Sequence, residues 1–324
     1  MAAIVFSPRY RMDIGPHVFP TIKYPLVRQA LLDRSLAAEP DFIEPEPASW
    51  ETLALVHTDD YLEKLRCGTM SAAEQAQLEV DASPAVVEGF RLMAGGTLLA
   101  ARVALGHDAT AARPGGVSAA ASRGDDASRP TRRLGIHIGG GFHHACEDHG
   151  EGFCLFHDVA VAARQLKREK AIGRAAIIDC DVHHGNGTAF IFAGDRWVFT
   201  FSMHQESNYP VFKPNSTLDI HLPDYADDEL YLRQLAGALP RIFASGPDIV
   251  FYLAGADPFE GDQLGGLSMT KEGLRRRDRL VFNAARELNV PVVVTLAGGY
   301  ARDVQDTVDI HAATIEDAIR VFQP

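Results

Sequence analysis

Short strand-like runs along this chain alternate with longer stretches whose apolar residues return every three or four positions. The short runs stand at 3–6, 134–138, 175–180, 197–202, 248–254 and 291–296, and residues 53–56 read as one more short strand. Helical spacing covers 25–38, 84–105, 158–170, 187–193, 228–244, 271–289 and 304–322. In 25–38, Leu26, Ala30 and Leu31 share a face. A further helix starts in His57-Thr58-Asp59-Asp60-Tyr61-Leu62, with Thr58 or Asp59 as its cap. Gly95-Gly96 inside 84–105 predicts close packing against that helix. From residue 134 onward strand and helix alternate. That pattern predicts an α/β fold: a mostly parallel central sheet flanked by helices on both faces. Neither an internal repeat nor a second domain is visible, so residues 1–324 are expected to form a single domain.

Residues 106–133 differ in kind. Ala, Gly, Ser, Arg, Asp and Pro dominate them, and large apolar side chains are nearly absent. They read as a low-complexity surface insertion, because strand-like residues 134–138 follow at once. Entering that strand at its N-terminal end, the insertion is expected on the face opposite any strand-end site, as a passive loop rather than a lid.

Composition narrows the function. With 46% hydrophobic and 23% charged residues the chain can bury a sizeable core. A net charge of −12 argues against a nucleic-acid partner. It suits a cationic ligand, or simply a soluble acidic surface. Cys67, Cys146, Cys154 and Cys180 form no CxxC pair. The first residues lack a basic region before a long apolar run, and no stretch reaches the length of a membrane span. The expectation is a cytoplasmic protein with free thiols and no membrane partner.

The chemistry gathers at strand ends. Residues 176–188 start as an apolar run and finish in Asp179, Asp181, His183, His184 and two glycines. In extended chain alternate residues share a side, so Asp179, Asp181 and, where the strand persists, His183 face together. One Asp-His pair beside a turn means little, but four such groups in six positions point to a site. Three more strand ends carry polar groups beside small residues: Gly139-Gly140-Gly141-Phe142-His143-His144, Gly255-Ala256-Asp257-Pro258 and Gly298-Gly299-Tyr300. The C-terminal ends of parallel strands are where such folds place ligands. Asp181, His183 and Asp257 make a three-ligand set with an open position for water. Zn²⁺ suits it, as do Fe²⁺ and Co²⁺. His143 and His144 remain for acid–base work and Tyr300 as a neutral donor, which points to attack of water on an unactivated carbonyl.

These blocks resemble the zinc-dependent histone deacetylase family, in its bacterial, class IV-like or class II-like members, within the arginase/deacetylase fold. The resemblance rests on GGGFHHA (139–145), GFCLFHDVAVAAR (152–164), IIDCDVHHGNGT (177–188), AGADPFEGDQLGGLSMT (254–270) and LAGGY (296–300). HVFPTIKYPLVRQALL (17–32) and LVHTDDYL (55–62) resemble the family's N-terminal blocks. It implies a single catalytic domain that removes acetyl or longer acyl groups from lysine side chains of proteins or peptides. An acetylpolyamine or other small acyl-amine is the alternative substrate, and a catalytically silent acyl-amine binder a further one. It assigns the metal to Asp181, His183 and Asp257, catalysis to His143, His144 and Tyr300, and Asp179 as partner of the first histidine. Asn186 stands where some classes carry Asp beside the second histidine, which should leave His144 less basic. Gly152 and Phe153 match the wall of an acyl-lysine channel, with Tyr209 opposite. A structural K⁺ or Na⁺ is implied at Asp179, Asp181, His183, Ser202 and Met203. His157, where relatives often carry Asn, and Gln263, where Pro is frequent, depart from the pattern.

Overall fold

A computed structural model describes residues 3–107 and 133–323. In chain order its elements are β1 (Ile4–Val5), α1 (Lys23–Asp33), β2 (Phe42–Ile43), α2 (Trp50–Leu53), α3 (Asp59–Cys67), α4 (Ala72–Leu78), α5 (Pro84–Ala104), β3 (Leu134–His137) and α6 (Asp158–Arg168). They continue with β4 (Ala175–Asp179), α7 (Asn186–Ile191), β5 (Val198–Gln205), β6 (Leu218–Leu222), α8 (Asp228–Ala244), β7 (Ile249–Leu253), α9 (Lys271–Glu287), β8 (Val292–Thr295) and α10 (Val304–Phe322). The strands form one sheet in the order β2-β1-β3-β8-β7-β4-β5-β6, with every neighbouring pair parallel.

The strand order explains the layers. From β3 to β6 the chain steps one way across the sheet, and from β6 to β8 it steps back. Right-handed crossovers taken in opposite directions put their helices on opposite faces. Accordingly α5 packs with α6, while α8, α9, α10 and α1 pack in sequence as a second layer. Strands β4, β7 and β8 are buried along their whole length, which is why they read as unbroken apolar runs. The reversal of direction leaves β3 and β4 separated by β8 and β7, opening a crevice beyond their C-terminal ends.

Several local expectations need correction. Residues 53–56 are not a strand: Leu53 ends α2, whose Ser49 cap accepts from the Thr52 amide, and the rest is turn. A run of four apolar residues carries no period that separates the two structures. Helix α1 begins two residues earlier than its spacing implies, because Pro25 sits in the first turn, where a missing N–H costs nothing. It stops at Asp33, where Ser35 adopts a positive φ of 55°. Strand β5 runs on to Gln205, and β2, α4 and β6 carried too little pattern to be foreseen. The proposed insertion falls almost wholly outside the described residues.

Close approach of backbones is built on specific glycines. A Cβ on Gly95 would lie 1.9 Å from the Glu46 carbonyl oxygen, and one on Gly135 equally close to that of Ala100. Gly237, within α8, has nothing within 4 Å of its Cβ position. Gly135→Ala is therefore expected to destabilise by about 1–3 kcal/mol through overpacking. Gly237→Ala is expected to stabilise by about 0.5–1 kcal/mol through lower chain entropy. Denaturant unfolding of both variants checks the pair; equal midpoints would contradict the packing of α5 on β3.

Candidate active site

Register brings the strand ends level. Asp179 closes β4 opposite Ser202 of β5 and Leu253 of β7, and Leu253 lies opposite Thr295 of β8. The loops that follow therefore leave the sheet side by side. Strand geometry stops at Asp179, so Asp181 and His183 do not alternate along a strand as expected. They converge through a bend in which the Asp181 amide donates to Asp179 Oδ1 (3.1 Å) and the His183 amide to Asp181 Oδ1 (3.0 Å).

Asp181, His183 and Asp257 are buried, and one donor atom of each lies within 4.8 Å of the others. His183 Nδ1 is 3.0 Å from Asp181 Oδ1 and 3.4 Å from Asp257 Oδ2. Asp257 Oδ1 accepts from the Val182 amide at 2.9 Å, while Oδ2 is sealed from solvent with no hydrogen-bond partner. Burial and the neighbouring Asp181 charge push Asp257 up to about 7. Burial opposes the charge of Asp181, but His143 and His183 hold it well below the usual range. Burial likewise disfavours an imidazolium at His183, and its two carboxylates outweigh that, raising it to about 10. Two carboxylates, one imidazole and an orphaned oxygen are what a divalent cation would satisfy. Among the described residues two further groups, His184-His204-Asp219 and Cys146-His149-Glu151, gather donors as closely, but only the Asp181 group is buried throughout.

The histidine pair is presented by the Gly139–Gly141 turn after β3, with φ of +69° at Gly140 and +86° at Gly141. The turn is held from α6: Asp158, fully buried, accepts from the Gly141 amide at 2.9 Å and the Phe142 amide at 2.8 Å. His143 Nδ1 lies 2.7 Å from Asp179 Oδ2, and His144 Nδ1 lies 2.6 Å from Asn186 Oδ1. The two rings are 4.1 Å apart yet electrostatically unlike. Burial works against the His143 cation, but Asp179 and Asp181 raise it to about 9. For His144, burial and the cations at His143 and His183 act together and lower it well below the ordinary value.

Tyr300 follows the Gly298-Gly299 turn. Its ring stands 6.4 Å from the His183 ring, and burial, Asp181 and Asp257 keep the phenol protonated. Asp262 accepts from the Tyr300 amide at 2.6 Å. Gln263 clamps the Tyr300 carbonyl twice, through its own amide (3.2 Å) and Nε2 (2.9 Å). Proline has neither donor, which gives the departure at Gln263 a physical reason. The departure at His157 also resolves: its Nδ1 accepts from the Ala160 amide as the N-cap of α6, the task for which Asn is a preferred residue.

Sequence reasoning missed Lys23. It is fully buried, donates to the Ala297 carbonyl at 2.8 Å, and its ammonium lies 5.7 Å from the Tyr300 ring centroid. Burial lowers it to about 8, against support from Asp257, Asp181 and Asp262. Asp158 was missed as well. Neither belonged to a metal-like or Gly-rich cluster, and lysine is ordinarily a surface residue.

The expected channel residues converge on the same place. A Cβ on Gly152 would lie 2.7 Å from His144 Cδ2 and 3.2 Å from Tyr209 Cε1, so only glycine fits. Phe153, at φ +68°, places its ring 6.0 Å from that of Tyr300. The Tyr209 ring stands edge-on 5.0 Å from His144. Of the expected monovalent-cation residues, Ser202 and Met203 are buried in β5, and the Ser202 hydroxyl lies 2.9 Å from His204 Nδ1.

Comparison with known proteins identifies the family of the chain. A family model described as the histone deacetylase domain matches residues 17–315. An uncharacterized protein of Picosynechococcus is 37% identical, over 95% of both chains. Histone deacetylase 2 of Arabidopsis thaliana is 31% identical, over 95% of this chain and 78% of its own. A probable deacetylase of Methanothermobacter thermautotrophicus is 27% identical, over 92% of this chain and 85% of its own. The solved HDA15 HD domain superposes with a TM-score of 0.74 at 22% identity, covering 99% of this chain and 95% of that one, a match of arginase/deacetylase fold. On the extent of the family match and the identity to these relatives, the chain belongs to the histone deacetylase family.

Proposed function

We propose that this protein is a zinc-dependent hydrolase that removes acyl groups from lysine side chains of peptides or proteins. Membership of the deacetylase family supports amide deacylation, and the finer reading rests on one observation. A buried Asp181-His183-Asp257 group stands beside two histidines whose environments push their proton affinities apart. Divergent titration of adjacent groups separates a base from an acid.

Zn²⁺ held by Asp181, His183 and Asp257 would polarise the amide carbonyl and acidify a water. The rest falls to the chain. His144, neutral and bonded through Nδ1 to Asn186, has Nε2 free to take a proton from water. His143, kept cationic by Asp179, holds the proton that the departing amine needs. Tyr300 donates to oxygen charge that develops only as the carbonyl is attacked. Phe153 and Tyr209 offer apolar faces to the methylene stem of a lysine. A K⁺ or Na⁺ beside Asp179, Asp181, His183, Ser202 and Met203 belongs to the same proposal. So does a single catalytic domain over the whole chain. The cytoplasm is the proposed compartment, on the four free cysteines; no helix among the described residues is long and apolar enough to cross a membrane.

Turnover of acetyl-lysine and longer acyl-lysine peptides beside N-acetylputrescine, with metal content measured, tests the reading. Preference for the peptides is expected. Preference for the small amine would move the substrate class, and zinc-loaded protein inert on all of them would remove the catalytic reading. Asp181→Ala and Asp257→Ala should each lose bound zinc and turnover, because each deletes one of three ligands; full zinc by elemental analysis would exclude that residue. Tyr300→Phe should keep fold and zinc and lose about 10²–10³ in kcat, the scale of one oxyanion donor. KM should change little, since the bond belongs to the transition state. Wild-type kcat would reduce Tyr300 to packing.

A further inference from the structure

Glu151 immediately precedes the channel glycine Gly152, and no role has yet fallen to it. Its side chain is 14% exposed and carries four contacts. Oε1 accepts from Asn186 Nδ2 at 2.9 Å and from the Tyr209 hydroxyl at 2.6 Å. Oε2 accepts from Gln77 Nε2 at 3.4 Å and lies 3.4 Å from His149 Nε2. Burial opposes its charge, and the donors outweigh that and lower its proton affinity.

The consequence runs inward through the amide of Asn186. A carboxylate accepts and does not donate. It can face only the Nδ2 end of Asn186, and so turns Oδ1 toward His144. An oxygen at 2.6 Å from His144 Nδ1 requires a proton on Nδ1, which leaves the lone pair on Nε2. Reversed, the amide would set its oxygen against the carboxylate and its NH₂ against Nδ1. The imidazole would then carry its proton on Nε2. We propose that Glu151 is a positioning residue that fixes the tautomer of His144 through Asn186, and the channel ring of Tyr209 with it. This also accounts for Asn rather than Asp at 186. A second carboxylate there would meet Glu151 at 2.9 Å, whereas the amide bridges an acceptor on one side and a donor on the other.

The inference rests on the deacylase reading, and the test separates the two. Zinc-loaded Glu151→Ala should keep its metal and lose about 10-fold to 100-fold in kcat on an acetyl-lysine peptide, the scale seen when an outer partner that orients a metal-bound histidine is removed. Glu151→Gln should restore most of the rate, because its carbonyl still accepts from Asn186. Glu151→Asp, one methylene too short, should behave like Ala. In an Asn186→Ala background Glu151→Ala should lower kcat no further, the freed Tyr209 ring showing itself in KM instead. In zinc-free protein, nitrogen NMR of labelled histidine should show His144 as the Nδ1–H tautomer, and a mixture of tautomers in Glu151→Ala. Wild-type kcat in Glu151→Ala, or additive losses in the double variant, would overturn the inference. If Glu151→Ala fails to fold, the Gln and Asp variants decide by the same measurements, and equal rates in the two would overturn it. If the wild type turns over no acyl-amine, the deacylase reading falls. The tautomer spectra then decide alone, and an unchanged His144 in Glu151→Ala would overturn the inference.

Discussion

Two carboxylates buried against one imidazole set the conditions for everything around them. Asp181 and Asp257 lie within 3.0 and 3.4 Å of the same ring nitrogen and are almost wholly cut off from solvent. Uncompensated ions in such surroundings cost several kcal/mol each. Compensation comes from several directions. Backbone amides of His183, Val182 and Gly298 donate to their oxygens. His143 brings a cation to 3.7 Å from Asp181, and Lys23 sets a buried ammonium behind Tyr300. Even the glycines are part of this arrangement: a Cβ on Gly298 would lie 1.9 Å from Asp257 Oδ2 and 2.6 Å from Asp181 Oδ2. Asp257 Oδ2 alone keeps no hydrogen-bond partner among these oxygens, and a cation held there would satisfy it.

Holding side chains this close uses backbone conformations that free peptides avoid. Phe153 (φ +68°) and Ala297 (φ +52°) are non-glycine residues in the left-handed region, and both border the site. Each is held from outside. The Phe153 amide donates to the Leu78 carbonyl, and its ring stacks on Phe19 at 6.1 Å. Ala297 is gripped through its carbonyl by Lys23 and through its amide by the Gly140 carbonyl. The loop after β3 and the loop after β8 thus brace one another directly.

The strand-ends carrying chemistry were legible because their signals are local. Apolar runs ending in Gly and Asp mark buried parallel strands, and the spacing of 179–184 announces a cluster by itself. The order of the helices was legible for the same reason. What escaped notice is held by contacts distant in sequence. Lys23 opens α1 at the end of an aromatic stretch with no periodic pattern, and its partner is 274 positions away. Asp158 looks like an ordinary helix-start acid, yet its hydrogen bonds go to another turn. Edge strand β6 alternates weakly because much of it is only half-buried. Residues 53–56 were too short for any period to decide. His157 and Gln263 looked like anomalies until the groups they cap were visible.

The contacts that shape the site close loops of very different size: 36 residues from His143 to Asp179, 75 from Val182 to Asp257, 117 from Asp181 to Gly298 and 274 from Lys23 to Ala297. Loop closure must precede such contacts, so topologies rich in them assemble slowly. The inner strands can pair before this geometry exists, but the converse does not hold. A fluctuation that lifts α1 from the body would withdraw Lys23 from the Ala297 carbonyl and loosen the turn under Tyr300, while the central strands stayed paired. Local openings of this kind need far less free energy than global unfolding. Inactivation by mild heat or denaturant should therefore run ahead of the loss of secondary structure.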